Sequence, residues 1–172
     1  MKTNILIQTK RLILRTVTLA DREHVASSWK LDAEPISLNE AEQKILWMQA
    51  NHEKNLPGKI FHLCLSIIIK DTNEFIGWCG LDHLDQEKTD PALFYLLKAK
   101  FWGKGYATEA ATALLKYAFT EMNLVSIHGS ADPENHASIR IMENLGMQFM
   151  GLAKNGCPVY SITKEADGIN PF

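Results

Sequence analysis

Hydrophobic residues alternate with polar ones, or form short β-branched runs, through the first half of the chain, and both patterns are typical of β-strands. We predict strands at residues 11–15, 61–69, 75–81 and 93–97. The second and third of these flank the turn residues Asp71, Thr72 and Asn73. They are therefore expected to pair as a hairpin.

Apolar residues three and four positions apart predict helices. Thr18 with Asp21, and Ser37 with Glu40, each have the spacing of a capping box, which marks the start of a helix. The first of these two helices is expected to reach Trp29. The second is expected to bury one apolar face, made of Ala41, Ile45 and Met48.

Strands and helices alternate in the second half of the chain. A helix over residues 105–122 lies between the strand at 93–97 and one at 125–130, so these two strands are predicted to be parallel. Asn135 is the predicted N-cap of a further helix, and Gly146 is its predicted end. Its inner face is expected to hold Ala137, Ile141 and Leu145, and two strands follow at 147–152 and 158–163.

These elements predict a single α/β (α+β) domain that covers residues 1–172. Its sheet would be mixed and mostly antiparallel, with seven strands and about four flanking helices. A net charge of −2 gives no support to a nucleic-acid or membrane-surface partner. No apolar run approaches the roughly 20 residues that span a bilayer.

The cysteines and histidines do not suggest a metal site. The three cysteines are odd in number and lack metal-ligand spacing, which suits reduced thiols in a cytoplasmic protein. Cys64 and Cys79 lie in apolar strands and are expected in the core. The six histidines are scattered along the sequence, without the paired spacing of helical metal ligands, so no metal is predicted.

The glycine loop, residues 101–108, reads Phe-Trp-Gly-Lys-Gly-Tyr-Ala-Thr and connects a predicted strand to a predicted helix. Small residues there allow backbone N–H groups to surround an anion, and the helix N-terminus favours negative charge. The loop therefore suits phosphate groups. Walker and dinucleotide-binding patterns both fit it poorly. Lys98, Lys100 and Lys104 nearby are either a solvated rim or an attraction for an anionic cofactor.

Four segments in order resemble the GCN5-related N-acetyltransferase (GNAT) superfamily, in particular the branch that contains the ribosomal-protein N-terminal acetyltransferases RimJ and RimL. The superfamily's cofactor loop is Gln/Arg-x-x-Gly-x-Gly/Ala, in which Gly105 and Ala107 fill the last two positions and Trp102 replaces the first. The other segments are Thr9 to Arg15, Phe75 to Leu81, and Asp132 to Met147. Together they cover nearly the whole chain.

This resemblance implies an acetyl-CoA site without metal. The pyrophosphate would lie on the glycine loop, at Trp102, Gly103, Lys104, Gly105, Tyr106, Ala107 and Thr108. The fourth and fifth of the seven predicted strands would splay apart, and backbone groups of Tyr95 and Leu97 would bind the pantetheine arm. Asn135 would contact that arm near the thioester.

The catalytic groups are less clear from the resemblance. Many members use a tyrosine seven residues after the asparagine, where this chain has Met142. The branch is thought to use a serine three residues after it, which implies Ser138 as the acid for the departing thiolate; alternatively, Ser138 only partners the Asn135 cap.

Ala92 replaces the glutamate that relatives carry as base. Asp82 or His83 is then a candidate base through a water, or a surface turn residue. Glu109 is expected to stabilise its helix.

We therefore expect an acetyl-CoA-dependent N-acetyltransferase that acts on a primary amine, either a protein N-terminus or a small molecule. The alternative is a non-catalytic acyl-CoA-binding protein of the same fold. A homodimer is left open. Without a strong base the enzyme should favour weakly basic amines, because an α-amine is about one-third neutral at pH 7.5 and a lysine amine about 0.1%.

Overall fold

A mixed sheet forms the centre of the computed structural model, which describes residues 4–28, 34–82 and 90–164. Within these residues the strands are β1 (Leu6–Gln8), β2 (Leu12–Thr16), β3 (His62–Ile69), β4 (Phe75–Asp82), β5 (Ala92–Leu97), β6 (Ser126–Ser130), β7 (Gln148–Leu152) and β8 (Pro158–Thr163). They lie in the order β1-β2-β3-β4-β5-β6-β8-β7. Every neighbouring pair is antiparallel except β5 and β6, which are parallel.

The predicted fold class is confirmed, with one strand more than the sequence pattern indicated. The additional strand is β1, which pairs with β2 from Leu6 opposite Arg15 to Gln8 opposite Ile13. Three residues are too few to show a period of two, and Leu6 is largely exposed, so no hydrophobic pattern marks this strand.

The helices of the described residues are α1 (Arg22–Ser28), α2 (Leu38–His52), α3 (Tyr106–Thr120) and α4 (His136–Asn144). Both predicted capping boxes form. The box of Thr18 and Asp21 opens a short 3-10 turn, Leu19–Asp21, that leads into α1. Ser37 accepts a hydrogen bond from the Glu40 backbone N–H at the start of α2. Trp29, the predicted end of α1, lies outside the described residues.

Two hydrophobic layers cover the two faces of the sheet. One lies under α3 and α4 and includes Leu114, Leu115 and Cys79. The other lies under α1 and α2 and includes Ile45, Cys64 and Trp78. Both predicted core cysteines are therefore buried, and burial raises the pKa of the Cys64 thiol to about 12.

The inner face of α4 differs from the prediction. Ala137 is exposed and Ile141 is only partly buried, whereas Met142 and Leu145 are buried. Residues 138, 142 and 145 are four and three positions apart, and this alternation keeps side chains on one face of a helix. The predicted residues 137, 141 and 145 are four apart each time, and a repeated spacing of four moves gradually off that face. Gly129 of β6 makes room for this face, since a Cβ there would lie 2.8 Å from the Met142 sulfur.

The parallel strands β5 and β6 pair at one position, where Ala92, the first residue of β5, lies opposite His128, the middle residue of β6. Beyond this pair no ladder joins them, so an opening, which we call the splay, widens between the strands towards Leu97. The predicted splay is thus confirmed, between the fifth and sixth strands because β1 shifts the count.

Candidate functional site

The backbone of β5 has unpaired groups facing the splay. The Lys98 N–H donates to the Ile76 carbonyl at 2.9 Å, so Lys98 is bonded towards β4. In an antiparallel ladder alternate residues bond to the same neighbour. The N–H and C=O groups of Tyr95 and the N–H of Leu97 therefore point the other way, into the splay, whereas the Leu97 carbonyl already accepts a side-chain hydrogen bond. This is the geometry needed to bind an extended chain as an added strand.

The side chains of Tyr95 and Trp102 form hydrogen bonds beside the splay. The Tyr95 hydroxyl donates to the Ser138 carbonyl of α4 at 3.0 Å. Burial raises the pKa of Tyr95 to about 12, so this hydroxyl remains a donor. The Trp102 indole N–H donates to the Leu97 carbonyl at 2.7 Å, which fixes the start of the glycine loop against the end of β5.

The glycine loop enters α3 through two residues in the left-handed region, Gly103 with φ 70° and Gly105 with φ 74°. Gly105 is the N-cap of α3 and carries no capping side chain. The N–H groups of Tyr106, Ala107 and Thr108 are the first three of the helix and have no partner within it. They are therefore available to an anion, together with the positive end of the helix dipole.

Glu109 ties the loop to the start of β2. Its carboxylate accepts hydrogen bonds from the Thr9 hydroxyl at 2.5 Å and from the Arg11 backbone N–H and Nε at 2.8 and 2.6 Å. Arg11 also donates to the Lys104 carbonyl at 3.0 Å and lies over the Tyr106 ring. Burial opposes ionisation of Glu109, but the bonds from Thr9 and Arg11 outweigh it, so its pKa is lowered. Glu109 is thus a structural anion.

The three loop lysines each contact a neighbouring group. Lys98 lies over the Phe75 ring, Lys104 lies over the Phe101 ring, and Lys100 pairs with Glu74 at 2.5 Å. Burial lowers the pKa of Lys98. Of the three, Lys98 is directed to the layer under α1 and α2, where Phe75 packs, and Lys104 lies in the glycine loop itself.

The Asn135 cap forms as predicted. Its side-chain oxygen accepts the backbone N–H of Ser138 at 3.0 Å. The cap therefore uses the backbone of Ser138, and the serine hydroxyl is not part of it. Because Tyr95 holds the carbonyl of the same residue, Ser138 lies beside the splay.

A cavity of about 300 Å³ lies on the opposite face of the sheet, beside α2. We call it the aromatic pocket. It is lined by Trp47, His62, Cys64, Trp78, Asp82, Ala92, Phe94 and Leu96. Ala92 lines this pocket and, with His128, also forms the closed end of the splay. The pocket and the splay therefore meet at Ala92.

Asp82 lines this pocket together with His62. His62 was not among the site residues predicted from the sequence. Asp82 lies opposite Ala92 on one side and opposite His62 on the other. The His62 Nδ1 is 3.4 Å from Asp82 Oδ2. The sequence does not give this pairing, because the register of β3 and β4 shifts by one residue between Ile67 and Ile68. His83 lies outside the described residues.

The described parts of the chain contain neither a metal-binding cluster nor a helix that could span a membrane. No cluster of three or more histidine, cysteine, aspartate or glutamate side chains there could hold a metal ion. No helix in those ranges combines the length and the apolar character needed to cross a membrane.

Known proteins of similar sequence show which family this fold and site resemble. Residues 11–148 match the family model of the acetyltransferase (GNAT) domain. An uncharacterized N-acetyltransferase of Bacillus licheniformis, p20, is 33% identical over 87% of this chain and 85% of its own.

Solved structures have the same fold. An acetyltransferase from Agrobacterium tumefaciens is 29% identical, with a TM-score of 0.71 over 93% of this chain and 95% of its own. A ribosomal L7/L12 alpha-N-protein acetyltransferase, RimL, solved with coenzyme A, is 16% identical, with a TM-score of 0.78 over 95% of this chain and all of its own.

Proposed function

We propose that this chain, which belongs to the acetyltransferase (GNAT) family, transfers an acetyl group from acetyl-CoA to a primary amine. Membership confirms the family that the four sequence segments indicated, and the chain is an N-acetyltransferase at the level of the family. The proposal concerns the particular residues and the acceptor. The observation that carries it is the splay, with backbone groups of Tyr95 and Leu97 facing it on one side and the glycine loop at its open end.

The splay and loop together match the parts of acetyl-CoA. The pyrophosphate would bind the amides of residues 103–108, with Trp102 and Lys104 at the entrance. The pantetheine arm would pair with the backbone of Tyr95 and Leu97 and pass Asn135. The thioester would then lie towards the closed end, beside Ala92. The coenzyme A bound in the structurally similar ribosomal-protein acetyltransferase supports this choice of ligand.

The aromatic pocket would receive the acceptor. It opens on the other face of the sheet but reaches Ala92, where the thioester is expected. Its volume is at the lower end of small-molecule sites, and most of its described lining is apolar or aromatic. These features favour a compact apolar amine, or one apolar N-terminal residue of a peptide, over a large polar amine such as an aminoglycoside.

Two groups would handle protons on opposite sides of the reacting centre. Asp82, whose side chain is 36% exposed, would bind the acceptor ammonium and remove a proton through a water or directly. A backbone N–H of β5 that faces the splay next to the thioester would stabilise the oxyanion. Ser138, beside the splay, would donate a proton to the departing thiolate.

An acceptor screen tests this function. Release of CoA would be measured with peptides of different N-terminal residues, lysine peptides, arylalkylamines, polyamines and aminoglycosides, and products checked by mass spectrometry. We expect acetylation of compact apolar amines and free N-termini. Acetyl-CoA binding without CoA release in the presence of any amine would instead favour the non-catalytic acyl-CoA-binding alternative.

A further inference from the structure

His62 is buried in the wall of the aromatic pocket without satisfied nitrogens. Its side chain is 7% exposed, and neither ring nitrogen has a hydrogen-bond partner among the described residues. Leaving a buried polar atom unpaired is costly, so an orphaned imidazole at a cavity wall calls for an explanation. Its Nδ1 faces Asp82 Oδ2 at 3.4 Å, which is close enough for an ion pair once a proton is present.

The backbone of His62 is held rigidly. Asn55 is fully buried, and its side-chain oxygen accepts the N–H groups of Phe61 and His62 at 2.7 and 3.2 Å. Its amide nitrogen donates to the His62 carbonyl at 2.8 Å. The Trp47 ring packs edge-on against the imidazole, with centroids 4.8 Å apart. The imidazole is therefore fixed in place before any ligand binds, as a reactive group requires.

The strand register orders the groups across the sheet. His62, Asp82 and Ala92 are directly opposite one another on β3, β4 and β5, and all three line the pocket. Asp82 therefore lies between His62 and the closed end of the splay. The side chain of Ala92 is only a methyl group, so no bulky side chain at this position separates Asp82 from that end.

We propose that Asp82 and His62 act as one proton-accepting pair, in which Asp82 contacts the acceptor amine and His62 takes over its proton. This inference rests on the proposed function and names a positioning residue for it. One N–H bond of the acceptor ammonium breaks, one N–H bond forms at His62 Nδ1, and Asp82 begins and ends as a carboxylate. The free amine then attacks the thioester, and the imidazolium later loses its proton to solvent.

The pair suits this role because an unpartnered imidazole nitrogen can accept a proton, and the carboxylate beside it stabilises the resulting cation. Among the residues that the structure describes, the other titratable groups near His62 are Cys64 on β3 and His52 on α2. Burial raises the pKa of Cys64 and lowers the pKa of His52, so both remain neutral near pH 7. His128 lies opposite Ala92 in the same register.

The test compares kcat and KM against pH for wild type, Asp82→Asn, His62→Gln, His62→Phe and the Asp82→Asn/His62→Gln double variant. The probes are phenylethylamine and phenylalaninamide, an alkylamine and an α-amine that differ by roughly two pKa units. His52→Gln is the matched control, since this other buried histidine also has an unpartnered Nε2 but does not line the pocket. Melting temperature and acetyl-CoA affinity are measured for every variant.

We expect both His62 variants to lower kcat about 10- to 100-fold with little change in acceptor KM, since Asp82 still binds the amine. Asp82→Asn should also raise KM, and the double variant should be no worse than Asp82→Asn, because the two residues act as a unit. In wild type the rising limb of kcat should keep one midpoint for both amines. In the His62 variants the midpoint should move with the amine.

Three outcomes would overturn the inference and leave the proposed function intact. The first is a wild-type midpoint that already moves with the amine. The second is folded His62 variants with wild-type kcat, and the third is a His52→Gln variant with the same kinetic defect. If neither amine is acetylated, the same comparison is made on CoA release with water as acceptor. A wild-type protein that binds acetyl-CoA but releases no CoA under any of these conditions contradicts the proposed function itself.

Discussion

Gly105 is the single residue on which the proposed phosphate site depends most directly. It is the N-cap of α3 in the left-handed region, and an added Cβ would face only the Arg11 guanidinium, at 3.5 Å. Gly105→Glu should therefore abolish acetyl-CoA binding, by backbone strain, bulk and like charge at the phosphates. Isothermal titration calorimetry measures the loss.

Gly156→Glu is the matched control for that substitution. Gly156 has a similar φ, 82°, with open space around its Cβ position, in the turn between β7 and β8. It should lose stability from the same backbone strain and retain acetyl-CoA affinity. Unchanged affinity in a folded Gly105→Glu protein would remove the loop from the site.

Substitutions at Ser138 and Asn135 distinguish a catalytic role of the Ser138 hydroxyl from a role in capping α4. Since Asn135 caps the Ser138 backbone N–H, Ser138→Ala leaves the cap intact and should barely change the melting temperature. Loss of the hydroxyl should lower kcat about 10- to 1,000-fold if it protonates the thiolate. Asn135→Ala is the comparison, because it removes the cap and should cost about 1 kcal/mol of stability. Normal kcat in Ser138→Ala would leave this serine without a catalytic role.

The residues that sequence could predict are those whose signals are local. The glycine loop and the Asn135 cap are each specified within a few neighbouring positions. His62 and Arg11 were not found because their partners are distant in the chain: Arg11 meets Glu109 across 98 positions, and His62 meets Asp82 only through the strand register. A scattered histidine acquires meaning only when the register is known.

At the scale of elements, the start of β2 holds the start of α3 through Arg11 and Glu109. Arg11→Gln should weaken acetyl-CoA binding about 10-fold, because it releases the Lys104 carbonyl and leaves the Glu109 carboxylate uncompensated beside the phosphates. The double variant Arg11→Gln/Glu109→Gln should recover part of the loss, since it removes that negative charge. Equilibrium binding at two salt concentrations measures both effects.

The control at this scale is Glu74→Gln. It breaks the exposed ion pair of Glu74 with Lys100, close to the same loop but without contact to β2. Exposed pairs of this kind contribute little, so acetyl-CoA affinity should stay unchanged. If Arg11→Gln behaves like Glu74→Gln, the contact between β2 and α3 does not organise the loop.

Helices and strands could be predicted from the sequence where a regular spacing of apolar residues continues over many positions. Helix α2, with its capping box and buried Ala41, Ile45 and Met48, formed as the pattern indicated. Strand β1 has three residues and gives no period, and the face of α4 was misassigned because its apolar residues fit two spacings. Only contact with Gly129 on β6 decides between them.

For the whole molecule, the sheet separates two chemical tasks. The layer under α3 and α4 holds the splay and the glycine loop, and the layer beside α2 holds the aromatic pocket. They meet at Ala92, where β5 and β6 part. A small acceptor and a large cofactor can thus approach one point from opposite faces, which requires the sheet itself to remain intact.

That integrity should depend on pH through Asp21, which anchors the turn after β2 to the sheet. Arg15 donates two hydrogen bonds to it at 2.6 and 2.7 Å, and the Thr18 N–H donates one at 2.8 Å. Burial opposes ionisation of Asp21, but these bonds outweigh burial, so its pKa lies below the ordinary value of 3.8. The stability from this lowered pKa is fully present above about pH 4 and is lost as pH falls through the folded-state pKa.

Asp21→Asn should therefore lower the stability at pH 7 by about 2–4 kcal/mol, because it leaves Arg15 without its buried partner. The difference from wild type should shrink as pH falls from about 4 through the folded-state pKa, below which Asp21 is protonated in both the folded and unfolded states. Melting temperatures from pH 2.5 to 7 for both proteins measure this. Glu40→Gln is the control, since that carboxylate also has a lowered pKa, from its bonds with Ser37, but is exposed. A gap between wild type and Asp21→Asn that stays constant down to pH 2.5 would mean that the charge of Asp21 does not stabilise the fold.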